Sequence, residues 1–372
     1  MAYLGEKNPK LGFGFMRLPM SGKDIDIEQT KQMVDLFMKK GFTYFDTAFG
    51  YANGKSEEAL KTSLIDRYPR ESFQIATKLP AWTAKNEKEA KDMFHISMER
   101  LGTKYIDFYL LHNVGQNRKK SFDDFGIWDY VRELKAEGLV KHIGFSFHDR
   151  ADVLEAILNE HPDMEFVQLQ INYADWENGS VESRKCYETA LRHNKPIVVM
   201  EPVKGGALSN PAESVRRIFE SANPTASVAS WAIRFAASLE NIITVLSGMS
   251  NVAQMEDNLS YMEQFKPLDA AELDVINKAR EALDAIPSIP CTNCRYCVKD
   301  CPKNIAIPDF FTAMNRKMVF NDLNGAKGEY RLAMMFGSEN PAECITCGKC
   351  EEVCPQQIEI IDKLKDTVKL LG

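Results

Sequence analysis

A regular alternation of short apolar segments with amphipathic ones, over about the first 280 residues, constrains the fold more than any other feature. Segments with helical periodicity lie at 27–40, 87–101, 151–161 and 181–193, and an opening strand is predicted near 11–16. Seven later apolar segments end in a polar residue, at spacings of 32, 34, 34, 26, 29 and 46. These residues are Asp46, Lys78, His112, Ser146, Asn172, Glu201 and Ser247. The pattern predicts eight βα units with an insertion before the last strand.

Eight consecutive βα units predict an α/β fold, a parallel (β/α)8 barrel or TIM barrel. The alternative is an open, doubly wound sheet, which should carry a glycine-rich turn after its first strand. Residues 12–17 (Gly-Phe-Gly-Phe-Met-Arg) lack the third glycine of that fingerprint, so the barrel is favoured. A further helix is predicted at 269–284, after which Pro287 and Pro290 break the pattern. We therefore expect a barrel domain at 1–285 and a small second domain at 286–372.

Eight of the nine cysteines fall in two identical runs, Cys-x2-Cys-x2-Cys-x3-Cys-Pro, within the second domain. This run is typical of proteins that bind [4Fe–4S] clusters, and its fourth cysteine usually ligates the other cluster. Structural zinc is the alternative for paired CxxC motifs, but two complete runs followed by proline favour clusters. We expect two [4Fe–4S] clusters. One set of ligands is Cys291, Cys294, Cys297 and Cys354, and the other is Cys344, Cys347, Cys350 and Cys301.

The two cysteine runs are separated by 42 residues that contain helical stretches at 310–314 and 330–335. The second domain is therefore predicted to be a mostly helical ferredoxin-like module rather than a compact β form. We expect the methionines and aromatic residues of this insert to form its core.

Four titratable residues near three successive strand ends form a candidate catalytic set: Asp46, Tyr51, Lys78 and His112. Reduction of a carbonyl by hydride leaves an alkoxide that needs a proton, and a free phenol with a pKa of about 10 is a poor acid at pH 7. A neighbouring lysine lowers the phenol pKa, an aspartate holds the lysine, and a histidine can hydrogen-bond the carbonyl oxygen. Singly, each residue has an ordinary structural role as a turn former, a surface charge or a core histidine. Together they favour catalysis.

These four residues and their neighbours resemble the aldo-keto reductases, whose Asp, Tyr, Lys and His tetrad they match, and the resemblance covers the first 265 residues. It implies reversible hydride transfer between NAD(P)H and a carbonyl or alcohol of a small molecule. It also implies that Ser146 and Gln170 meet the nicotinamide carboxamide. Met200 stands where many members have a ring-stacking tyrosine, and Phe147 where most have asparagine.

The same resemblance assigns the pyrophosphate to the loop with Pro202, Lys204, Gly205 and Gly206, whose glycines otherwise indicate only a tight turn. It assigns the adenosine to a segment with Gly248, Ser250, Gln254 and Asn258. Members that favour NADP carry arginine near Ser250 and Asn251. Its absence here removes the cation that pairs with a 2′-phosphate, so NADH is favoured.

The combination resembles iron–sulfur-containing aldo-keto reductases of anaerobes, which implies that the clusters relay electrons, with a ferredoxin or flavoprotein as a possible redox partner. Clusters move single electrons and nicotinamide moves a hydride, so coupling needs a flavin in this chain or a partner, or a substrate that tolerates radicals. No segment identifies a flavin site, and flavin stays open. Two alternatives remain: clusters that are only structural or redox-sensing, and a non-catalytic electron-transfer subunit, against which the intact tetrad counts.

Charge and hydropathy limit the classes of partner that the protein is expected to bind. The net charge of −7 is modest and spread along the chain, which argues against nucleic acid. No apolar run approaches the roughly 18 residues that suggest a membrane span. Residues 1–7 lack the apolar core of a signal peptide, and we expect a cytoplasmic protein.

Overall fold

The computed structural model describes residues 4, 9–179, 181–291 and 293–372. Residues 1–3 and 5–8, on which the expectation about a signal peptide largely rests, lie outside the described residues. The chain divides into two compact units. The first comprises Met1–Val203 and Ser230–Asp269, and the second comprises Lys204–Ala229 and Ala270–Gly372. The expected domain boundary at residue 285 stays a prediction.

The first unit contains a closed barrel of eight parallel strands, in which each strand pairs with the next one along the chain and the last pairs with the first. This confirms the (β/α)8 fold and excludes the open sheet. The barrel strands are β1 (Leu11–Gly14), β4 (Tyr44–Asp46), β5 (Gln74–Leu79), β6 (Ile106–Val114), β7 (Val140–Phe147), β8 (Phe166–Gln170), β9 (Ile197–Met200) and β10 (Ile242–Ser247). A short antiparallel hairpin, β2 (Met20–Ser21) and β3 (Asp24–Ile25), follows β1.

The barrel interior is a packed core rather than a channel. Tyr44, Phe108, Phe166 and Val198 come from four different strands and are fully buried against one another in a single apolar cluster. Gly144 on β7 allows the close approach of β8, because a Cβ atom there would lie 2.4 Å from the backbone oxygen of Phe166. Alternate residues along each strand fill the interior, so the functional groups of the barrel must lie at its rims.

Helices follow the strands as predicted. The helices of the first unit are α1 (Ile27–Lys39), α2 (Lys55–Leu60), α3 (Glu87–Leu101), α4 (Lys119–Asp124), α5 (Ile127–Ala136), α6 (Ala151–Glu160), α7 (Ser183–Arg192), most of α9 (Val228–Ser238) and α10 (Val252–Met262). The predicted helices at 27–40, 87–101, 151–161 and 181–193 match α1, α3, α6 and α7 to within two residues at each end. Asp26 and Asn86 cap α1 and α3 by accepting hydrogen bonds from backbone N–H groups of the first turn.

The second unit is helical. Its helices are α8 (Glu213–Ala222), α11 (Ala270–Asp284), α12 (Tyr296–Lys299), α13 (Ile307–Phe320), α14 (Leu323–Met335), α15 (Lys349–Glu352) and α16 (Ile360–Leu371). The described part of residues 286–372 contains no strand, which agrees with the predicted helical module. Phe310 and Tyr330 are buried as expected, but Met335 and Phe336 are exposed, so the expectation that these two residues belong to the core is wrong. None of the described helices is long and apolar enough to cross a membrane.

Candidate active site and cysteine cavities

Three neighbouring strands bring the candidate catalytic residues to one rim of the barrel. Asp46 is the last residue of β4, Lys78 is the second-last residue of β5, and His112 lies two residues before the end of β6. Tyr51 begins a short 3-10 turn, Tyr51–Gly54, in the loop after β4. Because these strands are parallel and pair in this order, their carboxyl ends meet at one rim.

A buried ion pair joins Lys78 to Asp46. The Lys78 Nζ atom donates hydrogen bonds to Asp46 Oδ1 at 2.6 Å and to the backbone oxygen of Thr47 at 2.7 Å, and the two charged side chains are 1% and 4% exposed. Burial acts to lower the pKa of Lys78, but the negative charges of Asp46 and of an ionised Tyr51 outweigh it and raise the pKa. Lys78 is therefore an ammonium ion at neutral pH.

Tyr51 and His112 lie next to this ammonium group. The Lys78 Nζ atom is 5.1 Å from the centre of the Tyr51 ring, and the Tyr51 and His112 ring centres are 5.9 Å apart, nearly perpendicular. Burial raises the pKa of the Tyr51 phenol and outweighs the opposing charge of Lys78, so the net lowering of the phenol pKa expected from the sequence is not found. Burial, helped by the charge of Lys78, holds the pKa of His112 well below its usual value. At neutral pH the site therefore combines a protonated phenol with an uncharged imidazole.

The loop that carries Tyr51 has an uncommon backbone held by a buried charge network. Residues 52–54 all have positive φ angles, two of them without being glycine. Arg100 donates to the backbone oxygen of Phe49 at 3.0 Å and to the carboxylate of Glu57 at 3.2 Å. Glu57 is fully buried and also accepts a hydrogen bond from Thr77 at 2.7 Å. Sequence reasoning missed this network, because a glutamate in a short helix and an arginine at a helix end look like ordinary surface residues.

Sequence reasoning also missed two residues beside His112. The indole N–H of Trp82 donates to the backbone oxygen of His112 at 3.0 Å, and the two ring centres are 6.5 Å apart. The guanidinium carbon of Arg118 lies 4.3 Å from the centre of the Trp82 ring. The signal available in the sequence was the position of Trp82 just after β5, four residues beyond Lys78.

The residues predicted to meet the nicotinamide also lie at carboxyl ends of barrel strands. Ser146 is the second-last residue of β7, Gln170 is the last residue of β8, and Met200 is the last residue of β9. The Ser146 hydroxyl accepts a hydrogen bond from the backbone N–H of Asn113 at 2.8 Å. The Gln170 amide donates to the carboxylate of Asp175 at 2.9 Å. These contacts hold both polar side chains in place at the rim.

The predicted adenosine segment begins helix α10. Gln254 accepts a hydrogen bond from the backbone N–H of Ser250 at 2.8 Å, and Asn251 caps the helix. Asn258 is buried and donates to the hydroxyl of Ser247, the last residue of β10, at 2.6 Å. The segment therefore forms the N-terminal part of α10, which is hydrogen-bonded to the end of β10.

Arg17 is a cation near this segment that the sequence did not identify. A Cβ atom added to Gly248 would lie 3.6 Å from the Arg17 side chain. Arg17 also forms an exposed ion pair with Glu201 at 3.4 Å. Glu201 directly precedes Pro202, which is buried. The predicted phosphate loop continues in the second unit, where Lys204, Gly205 and Gly206 have φ angles of 49°, 64° and 98°.

Two cavities in the second unit group the eight cysteines by fours. The first cavity is lined by the first three cysteines of the first run and the last cysteine of the second run. The second cavity is lined by the first three cysteines of the second run and the last cysteine of the first run. Their cysteines are Cys291, Cys294, Cys297 and Cys354 in the first cavity, and Cys301, Cys344, Cys347 and Cys350 in the second. Ile307 lines both cavities, so they are adjacent.

The residues of each cavity fit an iron–sulfur cluster, since four cysteines line a space that is otherwise lined largely by apolar side chains. Burial raises the pKa of the Cys297 thiol to about 12 and that of Cys350 to about 11. These two thiols are therefore protonated without a metal, and metal binding must displace their protons. The ninth cysteine, Cys186, is buried in the first unit and donates to the backbone oxygen of Asp149 at 3.6 Å.

Comparison with known proteins identifies both parts of the chain. Residues 10–281 match the aldo/keto reductase family, and residues 290–359 match the 4Fe-4S dicluster domain. An uncharacterized oxidoreductase of Schizosaccharomyces pombe is 26% identical over 293 residues, which cover 73% of this chain and 88% of the relative. Probable aldo-keto reductase 1 of Glycine max is 31% identical over 179 residues, covering 45% of this chain and 48% of the relative.

Solved structures share the barrel. An aldo-keto reductase from Bacillus halodurans in its holo form is 24% identical with a TM-score of 0.60, covering 73% of this chain and 92% of its own. An aldo-keto reductase from Klebsiella pneumoniae, solved in complex with NADPH, is 19% identical with a TM-score of 0.59. The match covers 73% of this chain and 90% of the Klebsiella chain. These likenesses show the fold, and the family match covers most of the chain. The chain therefore belongs to the aldo/keto reductase family and carries a 4Fe-4S dicluster domain after its barrel.

Proposed function

We propose that this protein reduces a carbonyl group of a small molecule to an alcohol, and catalyses the reverse reaction, with NAD(P)H as the hydride source. The observation that carries the proposal is the buried ammonium of Lys78, which is 2.6 Å from Asp46 and 5.1 Å from the Tyr51 ring, with His112 beside the phenol. In the overall reaction the carbonyl carbon gains a hydride and its oxygen gains one proton. Bound nicotinamide supplies the hydride in this chemistry.

Tyr51 is the proton donor in this proposal. The phenol is protonated at neutral pH, and the Lys78 ammonium opposes the rise in its pKa that burial causes, which makes Tyr51 a better acid than burial alone would allow. Once the proton has left, the neighbouring Lys78 ammonium stabilises the phenolate, and Asp46 holds that ammonium in position. His112 is uncharged and can donate one N–H to the same oxygen, which orients the substrate.

The dinucleotide would be held at the same rim. Ser146 and Gln170 are proposed to meet the nicotinamide carboxamide, with Met200 packing on the ring, because all three lie at successive strand ends. The adenosine is proposed to lie against the start of α10, between Gly248 and Asn258. The assignment of the pyrophosphate to Pro202 and residues 204–206 stays a prediction from the sequence.

We further propose that NADH binds at least as well as NADPH. Positions 250 and 251 carry serine and asparagine, so the cation that usually pairs with a 2′-phosphate is missing there. Arg17, which lies beside Gly248, is already paired with Glu201.

The cysteine cavities are proposed to hold two [4Fe–4S] clusters with crossed ligation, as the composition of each cavity supports. Bound clusters accept and donate single electrons. Because Ile307 lines both cavities, the clusters would be close neighbours, and Cys294 and Cys347 are exposed at the surface. These features support an electron relay towards a ferredoxin or flavoprotein, in preference to a purely structural or sensing role.

The proposal is tested with protein purified without oxygen and analysed for iron and sulfide. Incubation with NADH or NADPH deuterated at C4, together with a panel of aldehydes, should give an alcohol with one deuterium on the former carbonyl carbon. If none of the aldehydes in the panel acquired deuterium, the catalytic proposal would be contradicted. Reduction by the dinucleotide and separately by dithionite, followed by EPR spectroscopy, tests the relay: clusters that only dithionite reduces would indicate a structural or sensing role.

A further inference from the structure

Arg118 stands on a well-anchored loop at the candidate active site. The loop joins β6, which carries His112, to helix α4, and Arg118 precedes the first residue of that helix. The backbone N–H of Arg118 donates to the backbone oxygen of Gly115 at 3.0 Å. The N–H of Gln116 donates to the carboxylate of Asp149 at 2.8 Å. These bonds close a tight turn, so the position of Arg118 is set by the fold.

The side chain of Arg118 lies against Trp82, whose indole N–H is bonded to the backbone of His112. The positive charge of Arg118 contributes to lowering the pKa of His112, which places the guanidinium within electrostatic reach of the imidazole. Partial burial lowers the pKa of Arg118 itself, so its charge is partly removed from water. A cation in such a place interacts more strongly with an anion than one in open solvent.

The stacked geometry fits an anionic ligand with two oxygen acceptors. A guanidinium lying 4.3 Å from an indole centre presents its N–H groups at its edge, where a carboxylate can accept two parallel hydrogen bonds. The carbonyl oxygen of a substrate must reach Tyr51 and His112, and the Trp82 ring links the two places, since its centre lies 6.5 Å from the His112 ring centre and 4.3 Å from the Arg118 guanidinium carbon. A substrate that reached both would carry a carbonyl at one end and an anion at the other.

We propose that Arg118 binds a carboxylate of the substrate, and that the protein therefore acts on oxo acids, carbonyl compounds that also carry a carboxylate. This inference rests on the proposed carbonyl reduction for the identity of the reacting group. The binding of the anion does not depend on it. Arg118 acts as a specificity-determining residue, while Tyr51, Lys78 and His112 remain the catalytic residues.

The kinetic test compares two aldehydes of the same shape, 4-carboxybenzaldehyde and its neutral amide 4-formylbenzamide, with the anaerobically purified full chain. The wild type should prefer the acid by about tenfold or more in kcat/KM, the usual effect of one charge-assisted hydrogen-bonded pair. Arg118→Gln should lose most of that preference through KM, and Arg118→Lys should retain part of it. Arg150→Gln is the matched control, because Arg150 is exposed and paired with Asp152 at 2.9 Å.

An equal loss for both aldehydes in Arg118→Gln would mean that Arg118 only supports Trp82, and would overturn the inference. A binding measurement separates this result from failure of the proposed function. Titration of the full chain with benzoate and benzamide, followed by tryptophan fluorescence, needs no turnover. Benzoate should bind about tenfold more tightly than benzamide in the wild type and equally in Arg118→Gln. Equal affinities in the wild type would refute the anion site even if aldehydes are reduced.

Discussion

Replacement of Lys78 by methionine should destabilise the barrel far more than removal of a similar ion pair at the surface. Lys78→Met keeps the length of the side chain but removes the ammonium group that bonds Asp46 and the backbone oxygen of Thr47. The second carboxylate oxygen of Asp46 has no hydrogen-bond partner among the described residues. The variant therefore leaves a buried carboxylate with almost no compensation.

The expected loss in the free energy of unfolding is about 3–5 kcal/mol, the usual cost of breaking a buried pair by removing one partner. Lys40→Met is the matched control. Lys40 bonds Glu263 at 2.7 Å, nearly the same distance, but these side chains are 43% and 42% exposed. Because solvent screens such a pair, its loss should cost less than about 1 kcal/mol.

Urea unfolding of the cluster-loaded full chain, followed by tryptophan fluorescence without oxygen, measures the difference. All four tryptophans (Trp82, Trp128, Trp176 and Trp231) lie in the first unit, so the signal reports that unit. The double variant Asp46→Asn with Lys78→Met removes both charges and should recover much of the lost stability. Equal losses for Lys78→Met and Lys40→Met, or no recovery in the double variant, would refute the reasoning.

Three further predictions concern the cofactors and the pH dependence. Cys354→Ala should damage the cluster held by Cys291, Cys294 and Cys297; an EPR loss confined to the other cluster would contradict crossed ligation. Fluorescence titration should give NADH an affinity at least equal to that of NADPH, and a clear preference for NADPH would point to another cation, such as Arg17. Because the pKa of His112 lies well below its usual value, the kcat/KM for carbonyl reduction should not fall through protonation of His112 as the pH decreases from 8 to 6.5. A titration near pH 6.5 that His112→Asn removes would contradict this.

The barrel and the rim that carries the candidate catalytic residues could be predicted because both depend on local patterns. The alternation of strands and helices repeats at short spacing, and parallel strands place their carboxyl ends together whatever the surrounding loops do. Asp46, Lys78 and His112 therefore meet as a direct result of topology. The cysteine runs are equally local, since each carries its own spacing.

The supporting contacts could not be predicted, because they join residues far apart in the chain. Arg100 reaches the backbone of Phe49 and the carboxylate of Glu57 across more than forty residues, and no pattern links these positions. The positive φ angles at Ala52 and Asn53 could not be predicted either, because neither residue is a glycine, the residue type that usually indicates such a conformation. In the insert between the cysteine runs, residue type favoured a buried position for the methionines and aromatic residues, but it could not show that Met335 on α14 is exposed.

The measurement that most directly tests the account compares Tyr51→Phe with the wild type in single-turnover reduction of an aldehyde that the wild type accepts. The phenylalanine keeps the ring against His112 and removes only the phenolic hydroxyl. We predict a loss in rate of about 100-fold or more, with dinucleotide affinity near that of the wild type. A variant that retained the rate of the wild type would show that Tyr51 is not the proton donor, and the proposed mechanism would be wrong.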